Sequence, residues 1–133
     1  MPNNYIHVYL PFTEGGQTTV DDQKTVAFTN YTHRDDMHLK TKEDATYVKI
    51  DHDGLYQFAW HTENSDGGIL ALFVEGEEVK GSRSIYGASG LVELHDGDKV
   101  SLVNVYGKTI DLNATTPSSE GTVLASLTLT RLD

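Results

Sequence analysis

The chain has 133 residues, 38 % apolar and 23 % charged, with 20 acidic against 10 basic side chains and a formal net charge of −10. That length suits one domain, and the carboxylate excess repels phosphate backbones and anionic headgroups, which makes nucleic acid and membrane surfaces poor partner candidates. Cysteine is absent, which removes disulfides, thiolate metal sites and thiol nucleophiles, and no apolar run nears the ~18–20 residues of a membrane-spanning helix.

Helical periodicity is almost missing. Val, Ile and Thr make up 31 of the 133 residues, and such side chains suit a pleated surface. The opening Met1-Pro2-Asn3-Asn4-Tyr5 has no basic start or apolar core, so it does not read as a secretory signal. Residues 5–10 form the first strand, closed by Pro11 and the turn pair Gly15-Gly16. Residues 25–31 are a second candidate, and the polar stretch 33–44 reads as a surface connection with room for one short strand. Residues 47–50 alternate and end at the turn Asp51-His52-Asp53-Gly54.

The most informative segment is 55–62. Tyr56, Phe58 and Trp60 fall on one face, and Leu55, Gln57, Ala59 and His61 on the other. The aromatic face is the natural core, since large rings bury ~150–250 Å² each. The second face carries Leu55 and Ala59 beside Gln57 and His61, where a sheet side left in water should be mostly polar; it reads either as a covered surface or as singly exposed apolar residues, which are common. A loop at 64–68 leads into 69–74, apolar on both faces as a fully covered strand would be, and Glu75-Gly76-Glu77 turns the chain toward Val79. Residues 90–94, the turn His95-Asp96-Gly97-Asp98 and residues 99–105 read as a hairpin. A Thr/Ser/Pro loop at 114–121 precedes the last strand, 122–132. About eight to ten short strands at this spacing predict a single all-β domain over 1–133, an antiparallel sandwich or barrel.

No catalytic constellation emerges. His7, His33, His38, His52, His61 and His95 form no His-Glu-x-x-His pattern. There is no Gly-x-Ser-x-Gly elbow. The adjacent carboxylates Asp35-Asp36, Glu43-Asp44 and Glu77-Glu78 point apart on a strand and make no acid/base couple there. Asp51-x-Asp53-Gly54 and Asp96-Gly97-Asp98 superficially resemble calcium loops. Neither continues into a twelve-residue loop with a closing Glu, and both read as turns. The expectation is a protein that is not an enzyme and needs no cofactor.

Three segments, in order, resemble one family. Asp53-Gly54-Leu55-Tyr56-Gln57-Phe58 is similar to a Gly-x-Tyr-x-Phe strand. Leu72-Phe73-Val74-Glu75-Gly76-Glu77-Glu78-Val79 is similar to a Leu-x-x-Asn-Gly-x-x-Val hairpin, with Glu75 in place of Asn. The run from Ala88 to Leu102 matches a small-Gly-x-apolar-x-Leu-x-x-Gly-Asp-x-Val pattern through Ser89, Gly90, Val92, Leu94, Gly97, Asp98 and Val100. These patterns belong to the globular heads of complement component one subcomponent q and the tumour necrosis factor superfamily, bacterial spore-surface heads included. The resemblance covers about 25–132, with 5–10 supplying the first strand.

It implies an antiparallel jelly-roll β-sandwich of about ten strands that assembles as a homotrimer. It implies a non-enzymatic recognition or structural head that binds a protein or glycan ligand by surface loops, without inserting into a membrane. An extracellular, cell-surface or spore-surface location follows from the same likeness. The resemblance turns Leu55, Gln57, Ala59 and His61 toward the three-fold axis, with Leu91 and Leu124 on the same surface. Val92, Leu94, Leu127 and Leu129 join Tyr56, Phe58 and Trp60 in the core. Around such an axis three copies of His61 either form a pH-sensitive or metal-binding cluster or bond to their own neighbours. Heads of this type often bind calcium, which leaves a loop-edge or apical site open without a defined ligand set. The alternatives are a monomeric carbohydrate-binding jelly roll, which needs exposed flat aromatics, and a phage tail-fibre receptor-binding head.

Overall fold

Alternation of large apolar and small or polar side chains sets most of the longest strands, and turns rich in Asp and Gly set several of their ends. The computed structural model describes residues 4–12, 19–34, 37–39, 46–64, 67–112 and 123–132. In chain order its strands are β1 (Tyr5–Pro11), β2 (Thr19–Val20), β3 (Asn30–Arg34), β4 (Met37–Leu39), β5 (Val48–Ile50), β6 (Gly54–Thr62), β7 (Leu70–Val74), β8 (Glu77–Glu78), β9 (Gly87–Leu94), β10 (Lys99–Asn104), β11 (Ile110–Asp111) and β12 (Val123–Arg131). Two five-stranded sheets result, ordered β3-β1-β12-β6-β9 and β4-β5-β10-β7-β8, with β11 and β2 forming a separate ladder. Every named strand pair is antiparallel.

One apolar cluster fills the space between the sheets. Ile6, Val8, Tyr56, Phe58, Trp60, Leu94, Leu127 and Leu129 enter it from the first sheet, and Val48, Ile50, Leu70, Leu72, Val100 and Leu102 from the second. Val92 is half-buried and packs against it. Polar tips inside the core are partnered, as burial requires. The Tyr56 hydroxyl donates to the His52 carbonyl at 2.7 Å and Trp60 Nε1 to the Ser82 carbonyl at 2.8 Å.

Three sequence expectations are corrected. Residues 25–31 do not form one strand. Thr25 makes an isolated bridge to Val103, the Val26 amide donates to the Leu102 carbonyl at 2.9 Å, and the Thr29 amide donates to the Tyr9 carbonyl at 3.2 Å. This stretch therefore crosses from the second sheet to the first, dropping Val26 and Phe28 into the core on the way. Residues 90–105 are not a hairpin either: β9 pairs with β6, whereas β10 pairs with β5 and β7. The turn at 95–98 is a corner between sheets, tied to the 50–53 turn by Gly97 N–H to the Ile50 carbonyl at 2.7 Å and Asp96 N–H to Asp53 Oδ1 at 2.8 Å.

The third correction concerns Leu124, expected on the outer surface and in fact 1 % exposed within the core. Across β1 and β12, Leu10 faces Ala125 but Pro11 faces Val123, so Leu124 is the extra residue of a β-bulge. A bulge breaks the inside–outside alternation and re-aims a side chain. The β7–β8 hairpin does form, through Glu75 and Gly76 at φ 49° and 81°. Two positive φ values are the mark of a type I′ turn. The Gly15-Gly16 turn, the 114–121 loop and residues 35–36 and 40–45 of the polar connection lie outside the described residues.

Candidate functional site

Register assigns the outward face of the first sheet row by row. Across β1, β12, β6 and β9 the rows are Tyr5–Thr130–Gln57–Leu91, His7–Thr128–Ala59–Ser89 and Tyr9–Ser126–His61–Gly87. Arg34, Thr32 and Asn30 of β3 continue the three rows at the far edge, and Leu55 with Glu93 extends the face past Gln57. Leu55, Gln57, Ala59, His61 and Leu91 therefore share one surface, and Leu124 is absent from it. Leu91 is 58 % exposed and Tyr86, just before β9, is 61 % exposed. The His7 and Tyr9 rings stack with centroids 5.1 Å apart and planes at 22°.

Among these described positions Glu93 is the only carboxylate, in a chain with 20 acidic residues. The outward side of the second sheet differs. There Lys49 and Lys99 stand opposite each other, Lys99 Nζ lies 5.2 Å from the Tyr47 ring centroid, and Glu78 pairs with Arg83. The Arg83 guanidinium, donating through Nε to Glu78 Oε2 at 2.9 Å, holds the Glu78 carboxyl below its usual value. An ordinary sandwich places such charges outside both sheets.

Sequence reasoning found the β6 part of this surface and missed the rest. Tyr5, His7 and Tyr9 alternate with Ile6, Val8 and Leu10, a signal visible in the sequence. That they lie beside Gln57, Ala59 and His61 depends on β12 sitting between β1 and β6, which pattern alone does not reveal. Trp60 is 3 % exposed, so it offers no flat platform for a sugar ring.

The two Asp-rich turns meet at one end of the sandwich. Asp53 Oδ1 accepts from Asp96 N–H at 2.8 Å, Asp98 Oδ2 accepts from His95 N–H at 2.9 Å, and His95 Nδ1 stands 3.9 Å from Asp53 Oδ1. These carboxylates cap backbone amides. Among the described residues no three or more His, Asp or Glu side chains gather where they could hold a metal ion. The side chains of His33 and His38 lie outside the described part.

No family model matches the chain, and the comparison with curated proteins gave no match. Solved structures do match. An Eiger TNF from S. frugiperda aligns with a TM-score of 0.63 at 12 % identity, covering 100 % of this chain and 94 % of that one. The globular domain of a zebrafish complement 1qA protein aligns at 0.61 and 16 % identity, covering 99 % and 98 %. The GITRL from bushbaby aligns at 0.58 and 16 % identity, covering 98 % and 95 %. The fold is the jelly roll of tumour necrosis factor and complement heads. The likeness spans nearly the whole chain, so the jelly roll includes the 5–10 strand that the sequence patterns left outside their core segment.

Proposed function

We propose that this jelly roll is a non-enzymatic recognition or structural head that works as a homotrimer, closed through the outward face of the β3-β1-β12-β6-β9 sheet. The observation that carries the reading is the near absence of carboxylates there, in a chain of net charge −10. A surface kept in water tolerates acids freely, whereas a surface that meets copies of itself must exclude like charge, since burying an unpaired carboxylate is costly. The resemblance to complement and tumour necrosis factor heads supplies the three-fold symmetry. A three-fold ring uses a heterologous contact, so each copy brings two patches. The edge carrying Tyr86 and Leu91 is suited to be one, and the small-residue rows of Ala59, Ser126 and Thr128 the other.

A rigid trimer presents each loop three times, so weak contacts to a protein or glycan combine through multivalency. The acidic remainder of the surface favours cationic ligands. The family likeness supports an extracellular, cell-surface or spore-surface setting. Light scattering on the eluting protein is the test. The expected mass is about three times the 14.7 kDa protomer. Leu91→Asp, which places a carboxylate on the clean face, is expected to give monomers with unchanged far-ultraviolet circular dichroism. A wild-type particle of protomer mass at micromolar concentration overturns the reading.

A further inference from the structure

The outward face of the first sheet holds two imidazoles on rows whose other charged positions are Arg34 at the β3 edge and Glu93 beside Leu55. His7 on β1 faces Thr32 on β3 and Thr128 on β12, with Tyr5 and the stacked Tyr9 on its own strand. His61 on β6 faces Ser126 on β12 and Gly87 on β9, with Tyr9 beyond Ser126 in the same row. The titratable or charged residues near them are Tyr5, Tyr9, Tyr86 just before Gly87, Glu63, two residues past His61 at the strand end, and Arg34, which stands opposite Tyr5 on β3. Glu93 lies farther off, opposite Leu55. No carboxylate stands directly across a strand from either histidine. An imidazolium formed on this face has hydroxyls, a glycine and an aromatic ring as its immediate cross-strand and stacking neighbours.

We propose that acid opens the trimer, with His7 and His61 as the sensors. The inference rests on the assembly reading above. Histidine is the side chain whose charge changes most readily under mild acid, so protonation of this face is what acid would add to each copy. In the free protomer both charges are hydrated, and the imidazolium of His7 also keeps its attraction to the face of Tyr9. In the closed assembly they are desolvated and repeated by symmetry. The separated protomers therefore bind more protons, and linkage fixes the sign: assembly is favoured as pH rises and lost as pH falls through the histidine range.

Two effects oppose this. Acid reduces the overall negative charge of each copy, which eases repulsion between copies. That repulsion is long-range, and at physiological salt a Debye length of ~8 Å removes most of it. A charge enclosed in the contact is screened far less. Glu63 and Glu93 would reverse the sign only if they reached an imidazole across the contact, an outcome the test reads directly.

The experiment is sedimentation velocity on the full chain at about 0.15 M salt, as a concentration series at pH 7.5 and pH 5.5, with wild type and the double variant His7→Gln/His61→Gln. Glutamine keeps a neutral polar side chain at positions outside the core, so the protomer fold is retained, and circular dichroism at both pH values verifies it. The concentration for half-assembly of wild type is expected to rise by about a hundredfold or more at the lower pH. The double variant is expected to change less than about threefold. A wild-type trimer equally stable at both pH values, or more stable in acid, overturns the proposal and leaves the assembly reading intact. Acid dissociation that persists in the double variant also overturns it, since other groups then carry the effect. Protomers at pH 7.5 overturn the assembly reading itself, and this inference falls with it.

Discussion

Gly87 and Gly90 stand three residues apart on β9 and answer to different neighbours. A Cβ on Gly87 would sit 2.6 Å from the Trp60 carbonyl oxygen, a backbone atom where β6 pairs with β9. A Cβ on Gly90 would meet Phe58 Cζ at 3.0 Å, the tip of a ring that covers the glycine from across the ladder. Backbone cannot yield without loosening the strand pair, whereas a ring tip moves by tenths of an ångström. Gly87→Ala is therefore expected to cost about 1–3 kcal/mol, a melting-point loss of roughly 3–15 °C, and Gly90→Ala distinctly less. Equal melting temperatures for the two variants would contradict the close β6–β9 approach at Trp60. The Arg83–Glu78 pair gives a contrasting case on the surface. The hydrogen bond from Arg83 lowers the Glu78 pKa from the usual 4.5, so its stabilisation is present above that pH and fades as acid protonates the folded form. Both side chains reach solvent, and an exposed pair contributes little.

At the level of strands, Leu124 and Leu91 exchange the roles expected of a shared surface. Leu124 is the bulge residue turned into the core, and Leu91 is the exposed one. Leu124→Ala is expected to cost about 2–5 kcal/mol of protomer stability, as core leucines do. Leu91→Ala should leave the protomer within about 0.5 kcal/mol of wild type. Denaturation followed by the single tryptophan, Trp60, separates the two. The Leu124 variant should melt early at every protein concentration, and the Leu91 variant only where assembly adds stability. The same pair shows what a sequence can disclose. The alternation in β6 reads straight from the chain, because each aromatic is two residues from the next and nothing interrupts the pleat. Leu124 carries no such mark, since a bulge is a property of two strands together. The 95–98 turn was misjudged for a related reason: Asp and Gly announce a reversal of the chain, but pairing partners decide whether the flanking strands share a sheet. The two-residue strands β2, β8 and β11 are too short to hold a period at all.

For the molecule as a whole, charge and assembly pull in opposite directions. Each copy carries a formal −10, so three copies held together repel one another over distances comparable to their own size. In the proposed trimer the contact face carries one carboxylate, Glu93, among the described side chains, and its attraction would come from burying Leu55, Ala59, Leu91 and the β1 aromatics, a term that does not depend on counter-ions. Salt should then act on the repulsion alone. Raising sodium chloride from about 20 mM to about 300 mM shortens the screening length from roughly 20 Å to roughly 6 Å, and the trimer is expected to tighten by about an order of magnitude or more, read by sedimentation equilibrium at pH 7.5. An interface closed by ion pairs between copies predicts the reverse, with association weakening as salt rises. The direction of the shift thus distinguishes a trimer closed through the charge-poor first sheet from one closed through the lysine and glutamate side chains of the second.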